Sequence, residues 1–183
     1  MKRSASSLKS VYSLTLAAML VAMSVVIGIF CKTFLNFADG LLRITFENLP
    51  IILAGIVFGP ITGGLVGAGS DLVSYLLSPQ VYPPNLIVTA GAISVGVVSG
   101  IVSKLVITKH GCPQIIIAGL FGHIVGSMII KPIGLFKFYN WAVLLRIPVY
   151  LAIAPLEIFI LCLLFRNESF RKLIDKTEME IKK

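Results

Sequence analysis

The sequence predicts an all-α integral membrane protein, a bundle of six transmembrane helices with both termini in the cytoplasm. Of its 183 residues, 57% are hydrophobic and only 13% are charged, whereas soluble domains average about 45–50% apolar and about 25% charged residues. A soluble fold could not hide this much apolar surface from water. Because a spanning helix needs about 20 apolar residues, six spans use most of the chain, and we expect a single domain over residues 1–183.

Polar stretches and clusters of proline and glycine divide the apolar sequence into six segments. The sequences FGPITGG, at 58–64, and SPQVYPP, at 78–84, mark turns because these residues break helices. Residues 131–146 are expected to form a long connection, and the tail from 166 to 183 a short helix outside the membrane. The predicted spans are 8–31, 48–58, 61–77, 85–107, 114–130 and 147–165.

The distribution of basic residues predicts the orientation of the bundle. Six spans place both termini on one side, together with most of the 16 lysines and arginines. Cytoplasmic segments of membrane proteins are enriched in these residues, so this side is expected to be cytoplasmic. The net charge of +8 therefore reflects topology and contact with the membrane surface, and does not indicate nucleic-acid binding. The basic residues on the opposite side are Lys32, Arg43, Lys131, Lys137 and Arg146.

Small residues recur at four-residue spacing in the predicted spans. Such spacing lets helix backbones approach closely in lipid, so we expect tight packing within the bundle. The pair Ala18 and Ala22 in the first span could face a partner protein instead. The glycines in this pattern are Gly55, Gly59, Gly63, Gly67, Gly96, Gly100, Gly122 and Gly126.

The motifs of soluble enzymes are missing from the sequence. It contains no GxxxxGK[ST], HExxH or GxSxG motif. The cysteines, Cys31, Cys112 and Cys162, do not have the spacing of metal ligands. We therefore expect no enzyme activity, metal or cofactor, although an intramembrane enzyme or an assembly scaffold stays open as an alternative.

Three ionisable side chains, Asp71, His123 and Glu157, fall within predicted spans. A charge at the centre of a membrane helix costs about 2.5–3.5 kcal/mol on insertion scales, so such groups usually face the bundle interior and mark function. Asp71 could instead join two helices by hydrogen bonds. Glu157 follows the helix-bending Pro155 and could compensate a freed backbone group.

The basic residues on the outer side predict a pocket for an anionic molecule with a flat aromatic part. An arginine fork matches a carboxylate bidentately, and aromatic side chains can enclose a flat ring. Interfacial belts of tyrosine and tryptophan and snorkelling cations are the alternative. The candidate substrate-binding residues are Arg43, Lys131, Arg146, Tyr82, Tyr139, Trp141, His123 and Glu157, with Phe136 and Phe138 nearby.

The stretch from Arg43 to Leu77, RITFENLPIILAGIVFGPITGGLVGAGSDLVSYLL, resembles the substrate-binding membrane subunits, or S components, of energy-coupling factor (ECF) vitamin transporters. Within that group it is most similar to the folate family. LAAMLVAMSVV, at 16–26, is similar to the family's first helix, and LLRIPVYL, at 144–151, to the arginine that enters its sixth helix. The chain departs from the folate pattern in having Glu47–Asn48 where many folate-type members have glycine and phenylalanine.

The resemblance implies an importer subunit in the bacterial plasma membrane that captures folate, or a related anionic vitamin, from outside. It implies a transmembrane coupling protein and two ATPases as partners, with Ala18 and Ala22 as the docking face. S components for another vitamin, such as pantothenate or a queuosine precursor, stay open. So does an ion-coupled secondary transporter that uses Asp71, His123 and Glu157 as a relay.

Overall fold

The computed structural model describes residues 11–37, 42–77, 85–105 and 111–182, and within these ranges the chain is almost entirely helical. A two-residue antiparallel pairing, Asn36 with Arg43 and Phe37 with Leu42, forms a small hairpin after the first helix. The elements are α1 (Val11–Phe34), β1 (Asn36–Phe37), β2 (Leu42–Arg43), α2 (Asn48–Phe58), α3 (Pro60–Leu77), α4 (Leu86–Leu105), α5 (Cys112–Gly122), a π-helix (His123–Ile130), α6 (Lys131–Tyr139), a 3-10 helix (Asn140–Leu145), α7 (Arg146–Arg166) and α8 (Glu168–Lys182).

Three helical stretches in the described ranges are long and apolar enough to cross a membrane, namely Val11–Phe34, Leu86–Leu105 and Cys112–Arg166. The last has 55 residues, but α5 and α7 pack against each other. The chain therefore reverses between them, and Asn140 has a φ of 48° at this point.

The expected connection at 131–146 is largely helical, which corrects the sequence-based interpretation. Pro132 occupies the first turn of α6, where its missing N–H costs no hydrogen bond. The mixed polarity of this segment arises because one side of α6 is buried, at Lys131, Gly134 and Leu135, while its other side is exposed.

Helix α2 lies at the centre of the bundle. All of its residues except Val57 are buried, and it contacts α1, α3, α4, α5 and α7. A helix that is apolar all round belongs in such a position. The outer surface of the bundle also carries many large apolar side chains, among them Leu76, Leu86 and Leu151, as expected for a surface that faces lipid.

Close backbone contacts join α2, α3 and α4, as the glycine spacing predicts. A Cβ added at Gly63 would lie 2.6 Å from both Gly55 Cα and Gly96 O. One added at Gly96 would overlap the Gly63 carbonyl group. Gly59 has a different role from its neighbours in the pattern: its φ of 94° ends α2 and allows α3 to begin at Pro60.

Helix α8 packs across one end of the bundle. Its Ile174 is buried against the main core, and Phe170 meets Phe165 of α7 edge to face, with ring centroids 5.6 Å apart. This end lies opposite the β1–β2 hairpin. We call the two ends the α8 end and the hairpin end.

Candidate functional site

A buried lysine at the start of α6 organises a group of polar side chains near the hairpin end. Lys131 is 4% exposed, and its Nζ donates to Glu47 Oε1 at 3.3 Å and to Asn48 Oδ1 at 3.2 Å. Asn48 Nδ2 in turn donates to Ser127 Oγ at 3.4 Å. Burying a charge is costly unless it is paired and hydrogen-bonded, and here a carboxylate and an amide supply those partners.

The local sequence explains this placement. Glu47 and Asn48 stand immediately before the apolar run of α2, so they lie where the positive end of the helix dipole favours an acidic group. Ser127 lies in the π-helix, four residues before Lys131, so both side chains can reach the start of α2. We call Glu47, Asn48, Ser127 and Lys131 the lysine cluster.

A second buried polar pair joins the π-helix to α7. His123 Nε2 lies 2.6 Å from Glu157 Oε2, and both side chains are almost fully buried. The direction of approach is not that of a regular hydrogen bond. Among the described residues, neither His123 Nδ1 nor Glu157 Oε1 has a hydrogen-bond partner. Both residues are candidates from the sequence analysis, but their spacing in the sequence did not indicate that they pair.

Asp71 lies apart from that pair, on the other side of α4. Its Oδ2 accepts a 2.7 Å hydrogen bond from Thr89 Oγ1, so it joins α3 to α4. Nearby, Lys32 Nζ donates to Ser74 Oγ at 2.7 Å. A small recess lies between α1, α2, α3 and α4, and it is lined by Ser24, Glu47, Ile51, Ser70, Asp71, Ser74 and Ala92. Glu47 thus belongs to both the wall of this recess and the lysine cluster.

Arg146 and Tyr139 come together, as a cationic and aromatic pocket requires. Arg146 begins α7 and is 5% exposed, and its guanidinium carbon lies 5.2 Å from the centroid of the Tyr139 ring. Trp141 does not share this environment. It is 74% exposed and meets Phe136 edge to face at 5.4 Å, a position typical of an interfacial aromatic residue.

Other predicted site residues are described only in part. The backbone of Arg43 pairs with Asn36, and β2 contacts α7, but the side chain of Arg43 lies outside the described atoms. Tyr82 lies outside the described residues. Ala18 and Ala22 are exposed on α1.

Sequence reasoning missed the partners of Lys131. Glu47 and Asn48 were noted only as a departure from a family pattern, and Ser127 was not considered. The available signal was a pair of polar residues directly before an apolar helix that is too short to span a membrane. In the described ranges, no group of three or more His, Cys, Asp or Glu side chains could hold a metal ion.

These features define a helical membrane protein with a buried polar site toward one end of its bundle. The chain belongs to the family of ECF transporter substrate-specific components, whose family model matches residues 12–174. The resemblance seen in the sequence is thereby confirmed, and the protein is a transporter subunit by family.

Two relatives carry folate in their names. The chain is 32% identical over 80 residues to the folate transporter FolT of Clostridium novyi (strain NT), covering 42% of this chain and 46% of that protein. The match thus spans less than half the length of this curated relative. The fold is similar to the crystal structure of FolT bound with folic acid, with a TM-score of 0.67 and 25% identity over 86% of this chain and 95% of that one.

A further solved structure supports the fold. It is the S component of a bacterial ECF transporter, which is similar with a TM-score of 0.57 and 23% identity over 84% of this chain and 92% of that one. At this identity the likeness concerns the fold alone.

Proposed function

We propose that this chain captures folate, or a closely related anionic vitamin, outside the cell and delivers it through an ECF importer. The observation that carries this proposal is a pair of buried cations, Lys131 and Arg146, each at the start of a helix, within a fold that matches nearly the whole of a folate-bound FolT. Carboxylates form strong charge-assisted hydrogen bonds with Lys and Arg. A vitamin with carboxylate groups therefore suits this end of the bundle.

The proposal includes a single domain of six spans, with both termini cytoplasmic, in the bacterial plasma membrane. A helix overlaps each of the six predicted spans, although only three stretches in the described ranges are long and apolar enough to cross a membrane. The positive-inside rule assigns the α8 end to the cytoplasm. The hairpin end then faces outward. This orientation gives the lysine cluster and Arg146 access to a vitamin from outside.

Within this site we assign the anionic part of the vitamin to Lys131, Arg146 and Arg43. Tyr139 and Tyr82 would lie against the aromatic part, and Trp141 would lie at the rim. His123 and Glu157 lie further from the hairpin end and would contact the most deeply inserted part of the ligand. The structure supports this order for the described residues because Lys131 and Arg146 stand at helix starts near the hairpin.

Binding by the purified chain tests the ligand. We expect tight folate binding in calorimetry, and Lys131→Ala should weaken it at least about 30-fold, since truncating one partner of a buried charge pair costs about 2–5 kcal/mol. Lys137→Ala is the matched control, because Lys137 is an exposed lysine on the same helix. If folate gives no heat while another vitamin binds tightly, the folate assignment fails and the importer class stands.

The partners in this proposal are a transmembrane coupling protein and two ATPases. Ala18 and Ala22 lie on an exposed side of α1, where small side chains allow a partner helix to approach closely. Ala18→Leu combined with Ala22→Leu should prevent co-purification with the coupling module while folate binding persists. Unchanged co-purification would place the docking face elsewhere.

An ion-coupled secondary transporter is the second candidate. The observation that favours it is the buried His123–Glu157 pair, which could carry a proton. The arrangement of Asp71 argues against a continuous proton relay. Asp71 accepts a hydrogen bond from Thr89 on α4 and does not join the His123–Glu157 pair. Uptake by the chain alone in liposomes, driven by an ion gradient, would support this candidate, and a requirement for ATPase subunits would exclude it.

A further inference from the structure

The His123–Glu157 pair leaves polar atoms unsatisfied inside the bundle. Both residues have 0% relative exposure, and His123 Nδ1 and Glu157 Oε1 have no hydrogen-bond partner among the described residues. A buried polar group without a partner costs on the order of 1–3 kcal/mol in proteins. Such groups are rare in native structures, where strain, a functional role or a bound water or ion explains them.

The position of this pair relative to the cations is the second observation. His123 precedes Lys131 by eight residues in a continuous helical stretch, and Glu157 follows Arg146 by eleven residues in α7. At about 1.5 Å per helical residue, the pair lies about 12–16 Å further from the hairpin end than the two cations. The stretch from His123 to Lys131 and helix α7 are antiparallel and share one arrangement. Each has a cation toward the hairpin end and a member of the His123–Glu157 pair deeper in the bundle.

From this arrangement we infer that Glu157, held by His123, recognises the heterocyclic end of the vitamin through its N–H donors. The inference rests on the proposed function and deepens it. A ligand that reaches both places needs an anionic group at one end and a hydrogen-bonding ring at the other. The 2-amino-4-oxopyrimidine edge of a folate presents an amino group next to a ring N–H, and two parallel donors of this kind match a carboxylate bidentately.

His123 is the positioning residue in this scheme. Its Nε2 lies 2.6 Å from Glu157 Oε2, so the imidazole offsets part of the cost of burying the carboxylate and fixes its direction. Oε1 is thereby left for one donor of the ligand, and the second lone pair of Oε2 is left for the other. A purely structural pair that only ties the π-helix to α7 would stabilise the bundle in the same way but would not distinguish between ligands.

Affinities of two proteins for two ligands separate a role in ligand recognition from a purely structural role of the pair. The affinities of wild type and Glu157→Gln are measured for folate and for an analogue that lacks the 2-amino group. We expect wild type to bind the analogue about 10- to 100-fold more weakly, the range for a hydrogen bond to a charged group. Glu157→Gln should bind folate more weakly by a similar factor and should distinguish the two ligands much less.

Glu168→Gln is the matched control, because it makes the same exchange at an exposed position of α8 and should reproduce the wild-type pattern. If wild type and Glu157→Gln lose the same factor on removal of the amino group, or if wild type binds both ligands equally, the inference is overturned and the proposed function stands. If wild type binds no folate, the proposed function itself fails, and the inference fails with it.

Loss of folding in Glu157→Gln would be visible as aggregation in size-exclusion chromatography. In that case His123→Asn is placed in the same comparison, because it removes the positioning contact and keeps the carboxylate. Reduced discrimination between the two ligands in this variant supports the inference, and unchanged discrimination overturns it.

Discussion

Two parts of the bundle are held together in different ways. In the glycine-rich part, α2, α3 and α4 meet through backbone atoms, and residues such as Gly63 and Gly96 leave no room for a side chain. In the polar part, buried ionisable groups join α6 to the start of α2 and the π-helix to α7. Lipid provides no hydrophobic force between helices, so close packing and polar contacts must hold them. The glycine-rich part is suited to hold a fixed shape. In the polar part, the ionisable groups can exchange their contacts within the protein for contacts with a ligand.

The largest effect is expected where backbone contacts are closest. Gly96→Ala would place a methyl group against the Gly63 carbonyl, and neither backbone can move without disturbing the helix pair. We expect a loss of at least about 3 kcal/mol in the free energy of unfolding, at or above the upper end for overpacked cores. Thermal unfolding in detergent measures it.

Gly69→Ala is the control for this prediction. Its Cβ would lie 3.4 Å from Val21 Cγ2, an ordinary contact, so stability should stay near that of wild type. Equal melting temperatures for Gly96→Ala and Gly69→Ala would show that close backbone contacts do not hold the glycine-rich part together.

The second prediction concerns the lysine cluster. Lys131→Met removes the ammonium group from Glu47 Oε1, and we expect a loss of about 3 kcal/mol in stability, as when a buried ion pair is broken. Glu47→Gln in the same chain should recover part of this loss. A double-mutant cycle measures the coupling, expected at about 1 kcal/mol or more. Strict additivity would show that the contact at 3.3 Å contributes nothing.

Gly91 lies where the two parts meet, and its replacement should affect them unequally. A Cβ there would lie 2.6 Å from Lys131 Cγ and 3.1 Å from Gly126 O. Because the lysine stem can bend away, we expect Gly91→Ala to cost only about 1 kcal/mol in stability. Displacement of the Lys131 ammonium should nevertheless weaken folate binding. Affinity and melting temperature measured on one preparation test this, and unchanged affinity would contradict it.

The smallest effect is expected at the link between Asp71 and Thr89. Thr89→Val removes the hydroxyl that donates to Asp71 Oδ2 at 2.7 Å and keeps the side-chain shape. A partly buried hydrogen bond of this kind contributes about 1 kcal/mol, which chemical denaturation can resolve. Thr89→Ser keeps the hydroxyl and should unfold nearly as the wild type does.

The apolar helices could be located approximately from the sequence, because apolar runs and their proline and glycine boundaries are local features, and a helix overlaps each predicted span. The close packing at Gly63 and Gly96 could also be predicted, because small residues at four-residue spacing let helix backbones approach closely in lipid. Family membership could be predicted from the stretch between Arg43 and Leu77, and the family match confirms it.

The pairing of polar side chains could not be predicted in this way. His123 and Glu157 are separated by a chain reversal at Asn140, and nothing in their spacing indicates contact. The helical form of 131–139 was missed because its polar residues suggested a loop, although Lys131 is buried by its partners. The direction of the Trp141 side chain could not be predicted either, since residue type alone does not specify it; its indole is largely exposed, at the rim of the proposed pocket.

The unequal lengths of α2 and α3 have a consequence for the depth of the site. The 11 residues of α2 extend about 16 Å, and the 18 residues of α3 about 27 Å. Because the two helices meet at Gly59, α2 stops about 10 Å short of the level that α3 reaches at the hairpin end. Glu47 and Asn48 therefore lie about 10 Å below the end of α3, beside the path from the hairpin end to His123 and Glu157 in the proposed site. The length of one short helix thus sets the depth of the lysine cluster: one added turn in α2 would raise it by about 5 Å.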